Sequence, residues 1–133
     1  MSSIFSKIVQ GVIPSVKVAE NEFAFAFMDI FPLRKGHVLV VPKMEVDEIY
    51  NLPEKDYIEL TKFAKQLASA MRKAFNMRIG MSVIGLEIPH AHIHLIPIET
   101  ANDINFNQEK QKVNTDELQK IADNIKLHII CES

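Results

Sequence analysis

The segment His90-Ala91-His92-Ile93-His94-Leu95-Ile96 constrains this chain more than any other. Histidine alternates with apolar residues at period two, the period of a β-strand, whose successive side chains point to opposite faces. Read as a strand over 90–96 and ended by Pro97, it places His90, His92 and His94 on one side, with rings roughly 6.6 Å apart. Ala91, Ile93 and Leu95 then face a core. Packing gives no reason for three imidazoles on an apolar strand, so the row is a candidate site. Crowded imidazoles disfavour one another's charge, so the cluster is expected to hold fewer protons than rings. A neutral ring can attack and a protonated one can donate to a leaving group. His37, which opens Val38-Leu39-Val40-Val41, is a fourth candidate. His128, in Leu127-His128-Ile129, has no visible partner and reads as structural.

The flanking segments supply the rest of a fold. Val16 and Val18 alternate with polar or small neighbours, a short strand. Phe23, Phe25 and Phe27 alternate with Ala24, Ala26 and Met28, so both faces are apolar and both are expected to be covered. The run 38–41, closed by Pro42, is a strand that a short connection over 32–36 makes antiparallel to the phenylalanine strand. Leu60, Phe63, Ala64, Leu67, Ala68, Met71, Ala74 and Phe75 repeat at helical spacing, predicting a long helix over 53–75. Pro53 suits its first turn, and Glu54 and Asp56 suit the positive end of its dipole. A strand follows over 79–84. The tract 101–113 is polar and irregular. Asn114, with Glu117 three residues on, predicts a capping box and a shorter helix carrying Leu118, Ile121, Ala122 and Ile125. The expectation is an α+β fold: a mainly antiparallel sheet of about five strands with one long and one shorter helix. It forms a single domain over 1–133, with 101–133 as a polar loop plus C-terminal helix extension.

Bulk properties exclude several classes of function. Hydrophobic residues make up 47% of the 133 and charged residues 24%, a globular balance. A formal net charge of −2 gives no basic signal for nucleic acid, so a phosphate ligand must be held by local geometry. Cys131 is the sole cysteine, which rules out an internal disulfide framework or a cysteine metal site and reads as a free thiol. Met1 to Pro14 has no sustained apolar run, and no segment is long enough to cross a bilayer. A cytoplasmic protein with neither nucleic-acid nor membrane partners is expected.

The triad segment resembles the defining pattern of the histidine triad family. Ile4-Phe5-Ser6-Lys7-Ile8 with Ile13-Pro14 is similar to that family's opening segment. Phe27-Met28-Asp29-Ile30-Phe31-Pro32 and Gly36-His37-Val38-Leu39-Val40-Val41-Pro42-Lys43 resemble its central signature. The resemblance implies hydrolysis or transfer of nucleoside monophosphates from phosphoramidates, adenylates or dinucleotides, without a cofactor. It implies that His92 attacks the α-phosphorus, and that the His90 region orients it through a backbone carbonyl. It also implies that His94 contacts the phosphate or leaving group, and that His37 completes the polar network. Asp29 matches the acidic residue that holds ribose hydroxyls, and Phe5, Ile8, Phe27 and Ile30 match the apolar wall around a purine base. A homodimer, formed by joining sheets and packing the long helix, is implied as well.

Two departures qualify this pattern. Some bacterial relatives hold a structural zinc with two cysteines, a further histidine and the first triad histidine. The matching positions here are Ser3, Ser6 and Glu45, so no zinc is expected. Many members also place an asparagine and a Gly-Gln-type loop before the triad to hold phosphate. This chain has Ser82-Val83-Ile84-Gly85-Leu86-Glu87-Ile88-Pro89 instead. Two alternatives therefore stand beside the hydrolase: a nucleotide-binding module with little turnover, and a histidine-ligated metal-dependent hydrolase using Glu87 or His37.

Overall fold

The computed structural model describes residues 2–129; Cys131 lies outside them. Its elements in chain order are α1 (Ile4–Val9), β1 (Lys17–Glu20), β2 (Ala24–Met28), β3 (Val38–Pro42), α2 (Glu54–Phe75), β4 (Arg78–Ser82), β5 (Ile93–Ile98) and α3 (Thr115–Leu127). The five strands form one antiparallel sheet in the order β1-β2-β3-β5-β4. This is the expected α+β fold, with one helix more than expected. α1 has only six residues and a single histidine-side phenylalanine to announce it, too short a stretch for periodicity to register.

The register explains why both faces of the central strands are apolar. Met28 pairs with Val38, Val38 with Leu95 and Val40 with Ile93, and these residues share the face covered by α2 and α3. Leu60, Ala64, Leu67 and Met71 of α2 and Leu118, Ala122 and Ile125 of α3 complete that core. Phe27 pairs with Leu39 and Phe25 with Val41 on the opposite face, where Phe5 and Ile8 of α1 cover them. Leu39 also pairs with His94. The second face is therefore the one that carries the site.

The ends of the elements follow local chemistry. Asn114 caps α3, its side chain accepting from Glu117 N–H at 2.8 Å. Glu117 does not return the bond that a capping box requires; its carboxylate meets Lys35 Nζ at 2.6 Å. Pro53 stands one residue before α2, as its cap. The connection between β2 and β3 turns at Gly36, whose φ of 95° favours glycine, and a Cβ there would stand 3.0 Å from the Phe75 ring.

Two strand expectations need correction. β4 ends at Ser82 rather than 84, leaving Val83 and Ile84 in an exposed loop. The triad strand begins at Ile93, not His90, and Pro97 lies inside it rather than ending it. β3 pairs with β5 only as far as Leu95, so Pro97 has a ladder on its β4 side alone, where a missing N–H is tolerated. Among the described residues, no helix is long and apolar enough to cross a membrane.

Candidate active site

The chain before β5 is irregular because it is bonded elsewhere. His90 N–H donates to Ile88 carbonyl at 2.8 Å, a tight turn, and Ala91 N–H donates to Val46 carbonyl at 2.7 Å. The three imidazoles therefore do not stand in an even row. His90 turns towards α1, while the rings of His92 and His94 meet edge to face with centroids 4.8 Å apart. All three are buried, with His37 beside them.

Each ring's tautomer follows from its partners, because a carbonyl oxygen only accepts and a backbone N–H only donates. His90 Nε2 lies 2.8 Å from Pro42 carbonyl, so it carries a proton. Its Nδ1 is then free to accept from Ser3 Oγ at 2.7 Å. His92 Nδ1 lies 2.8 Å from His90 carbonyl and must be its protonated nitrogen, which leaves the lone pair on Nε2. Leu33 N–H donates to His37 Nδ1 at 3.1 Å, so His37 is protonated on Nε2. That proton meets His94 Nδ1 at 2.9 Å, and neutral His94 therefore carries its own proton on Nε2. A lone pair on His92 and an N–H on His94 thus stand on adjacent rings.

Burial keeps the cluster neutral. It pushes His37 down to about 3, helped by the charge that would form on His94 and by the charge of Lys110. His94 is pushed down to about 3 by burial, then by His92 and Lys110. Burial also lowers His90 and His92. The cluster thus holds fewer protons than rings. The resting site contains no imidazolium to donate, so His94 offers a hydrogen bond rather than an acidic proton.

The remaining expected residues fall into two groups. Phe5 lies edge-on to His92, with centroids 5.0 Å apart, and packs against Phe27 at 5.6 Å. Ile8 packs on the same cluster. Asp29 accepts Phe31 N–H at 2.9 Å and shapes that turn, while its other oxygen lies 3.7 Å from His37 Nε2. Burial raises its carboxyl above the usual range. Ile30, the next residue, is exposed.

Three features went unread in the sequence. Phe106 packs edge to face on His94, with centroids 4.7 Å apart, and it is the lone aromatic of the polar tract 101–113, a signal that was available. Lys110 stands close enough to bear on Asp29, His37 and His94. The tract is tied over the site by Gln111 N–H to Pro32 carbonyl at 3.1 Å and by Arg34 to Asp103 at 2.7 Å. A cavity of about 460 Å³ opens beside His92, lined in part by Tyr50, Leu86 and Ile88 and by the acids Asp47, Glu48 and Glu87. A larger hollow between Arg34 and α3 is lined by none of these histidines, and two of its cations, Arg34 and Lys35, are paired with acids.

The positions that match a relative's zinc ligands do converge. Ser3, Ser6, Glu45 and His90 are joined by hydrogen bonds. Two hydroxyls, one carboxylate and an imidazole nitrogen already bonded to a hydroxyl do not make a zinc donor set. Among the described residues, no three His, Cys, Asp or Glu side chains cluster so as to hold a metal ion.

The comparisons with known proteins agree with this geometry. Residues 10–101 match the HIT domain family model. The adenosine 5′-monophosphoramidase of Saccharomyces cerevisiae is 35% identical over 71% of this chain, a match spanning 61% of the yeast protein. That of Schizosaccharomyces pombe is 36% identical over 73% of this chain and 74% of its own length. A crystal structure of a Hit-like protein from Bartonella henselae superposes with a TM-score of 0.84 at 28% identity, covering 96% of each chain. With the family model matched from before β1 to beyond β5, this chain belongs to the histidine triad (HIT) family.

Proposed function

We propose that this chain cleaves a purine nucleoside monophosphate from a nitrogen or phosphate leaving group through a nucleotidyl-His92 intermediate. One observation carries the reading: His90 carbonyl fixes the His92 proton on Nδ1 and leaves the Nε2 lone pair available. Attack by Nε2 on the α-phosphorus forms a P–N bond while the bond to the leaving group breaks. The departing nitrogen takes a proton from solvent. Water then attacks the phosphorus and gives up a proton to solvent, the P–Nε2 bond breaks, and His92 returns neutral. Splitting one displacement into two lowers each barrier. His94 Nε2–H bonds a phosphoryl oxygen. Asp29 accepts ribose hydroxyls, and the base lies against the apolar residues Phe5, Ile8, Phe27 and Ile30. The names of the two yeast relatives support the phosphoramidate class. The same reading places the protein in the cytoplasm as a homodimer, joined through edge strand β4 and the exposed side of α2.

Release of AMP from adenosine 5′-phosphoramidate in excess EDTA tests it, beside His92→Asn. The expected result is EDTA-insensitive release that falls about 10³-fold or more in the variant. Activity lost to EDTA and restored by a metal would overturn the mechanism. A second reading, a binding module with little turnover, is favoured by the acids Asp47, Glu48 and Glu87 around the cavity beside His92. Tight nucleotide binding without AMP release would establish it.

A further inference from the structure

The peptide between His90 and Ala91 governs His92, and this peptide is gripped from several directions at once. Its oxygen accepts His92 Nδ1–H at 2.8 Å. Its N–H donates to Val46 carbonyl at 2.7 Å. The His90 ring is held on both nitrogens, by Pro42 carbonyl at 2.8 Å and by Ser3 Oγ at 2.7 Å. Three of these anchors come from two short pieces of chain: Ser3 caps α1, and Pro42 and Val46 flank the turn after β3. Glu45 joins the two pieces. One of its carboxylate oxygens accepts Ser3 N–H at 2.5 Å and Ser6 hydroxyl at 2.7 Å. Ser6 N–H in turn donates to Ser3 Oγ at 3.0 Å, which leaves the Ser3 proton to point at His90.

We propose that Glu45 is a positioning residue: by drawing Ser3 and Ser6 onto the turn after β3, it directs the Ser3 hydroxyl to His90 and fixes the His90 carbonyl that keeps the His92 proton on Nδ1. Ser3 and His90 are buried, so no solvent competes for these bonds. Glu45 itself is exposed and touches no reacting atom. Its carboxyl is held well below the usual carboxylate range by Ser3 N–H and Ser6 hydroxyl, so it remains an acceptor across the working pH. The arrangement does by hydrogen bonding what a bound ion would do by ligation, tying the start of the chain to the triad. A ring with one fixed tautomer is a prepared nucleophile; a ring shared between tautomers spends part of its time with the lone pair facing the wrong way.

This inference rests on His92 acting as the nucleophile, and its test separates the two. The full-length protein, labelled with 15N in histidine, is compared with Glu45→Gln and Glu45→Ala by long-range 1H–15N correlation spectra. The same proteins are assayed for AMP release from adenosine 5′-phosphoramidate. Wild type should show His92 protonated on Nδ1 alone. Glu45→Ala should show a mixture of His92 tautomers, with kcat lowered about tenfold and KM within about twofold. Glu45→Gln keeps an acceptor oxygen and should restore most of both. An unchanged His92 tautomer in Glu45→Ala would overturn the proposal, and so would a Glu45→Gln variant as impaired as Glu45→Ala. A His92 tautomer shift in Glu45→Ala, with no AMP released by the wild type, would keep the positioning role and remove the hydrolase reading instead.

Discussion

Single side chains in this site are set by what their neighbours can donate. Four histidines share one buried pocket, yet each has one proton and a definite place for it, because Pro42, His90 and Leu33 offer backbone groups of fixed polarity. Neutral burial has a consequence for stability. His37 and His94 stay neutral in the folded chain down to about pH 3, whereas in the unfolded chain they charge below about 6.5. The unfolded state therefore binds more protons across that window, so stability should be full above about pH 7 and fall steadily from about 6.5 towards 3. His90 and His92 act with the same sign. Asp29, with its carboxyl raised by burial, opposes them. Urea midpoints measured from pH 4.5 to 8 should give a slope near two protons between about pH 4 and 6. A midpoint flat across that range would show that these rings are not buried neutral. The identities of the four histidines were legible from spacing and resemblance, but their proton placement was not. It depends on the carbonyls of Pro42 and His90 and on the N–H of Leu33, which no side-chain pattern announces.

At the scale of elements, the departures share one cause. The alternation of His90, His92 and His94 suggests a strand, but the backbone of His90 and Ala91 finds its partners in the turn after β3 and at Ile88, so the ladder starts at Ile93. Period two was present in the sequence without a neighbouring strand to pair with. The long helix and the phenylalanine strand were readable by their own periodicity, and the hairpin partner by its β-branched run closed by Pro42. The tract 101–113 carries none, and its role comes from tertiary anchors: Pro32, Arg34 and the ring of His94. Phe106 covers one side of that ring. Phe106→Ala should open His94 to water, and relief of burial raises an imidazole's pKa. NMR titration should then find His94 charging at higher pH than in the parent protein, with His90 unmoved. A His94 titration identical in both proteins would mean that the tract packs beside the site without shaping it.

For the whole molecule, the sheet and helices leave one flank unfinished. β1 and β4 are the two edges of the sheet. β1 is four residues long and is packed by α3, whereas β4 pairs on one side only and carries exposed Met81. Val83, Ile84 and Leu86 continue the apolar surface past its end, and Tyr57 and Ile58 of α2 add to the exposed apolar area. An open strand edge with apolar neighbours pairs readily with a second copy. Joining two β4 edges about a two-fold axis would extend the antiparallel sheet across both chains, each patch meeting its own copy. Sedimentation equilibrium should then give twice the 15.1 kDa chain mass for the parent protein. Met81→Asp places a charge on that edge at a position already half open to solvent, so the single chain should still fold and sediment at its own mass. If Met81→Asp stays at the parent's doubled mass, the dimer forms through another face. If the parent sediments at the mass of one chain, the apolar flank of β4 serves something other than a second copy.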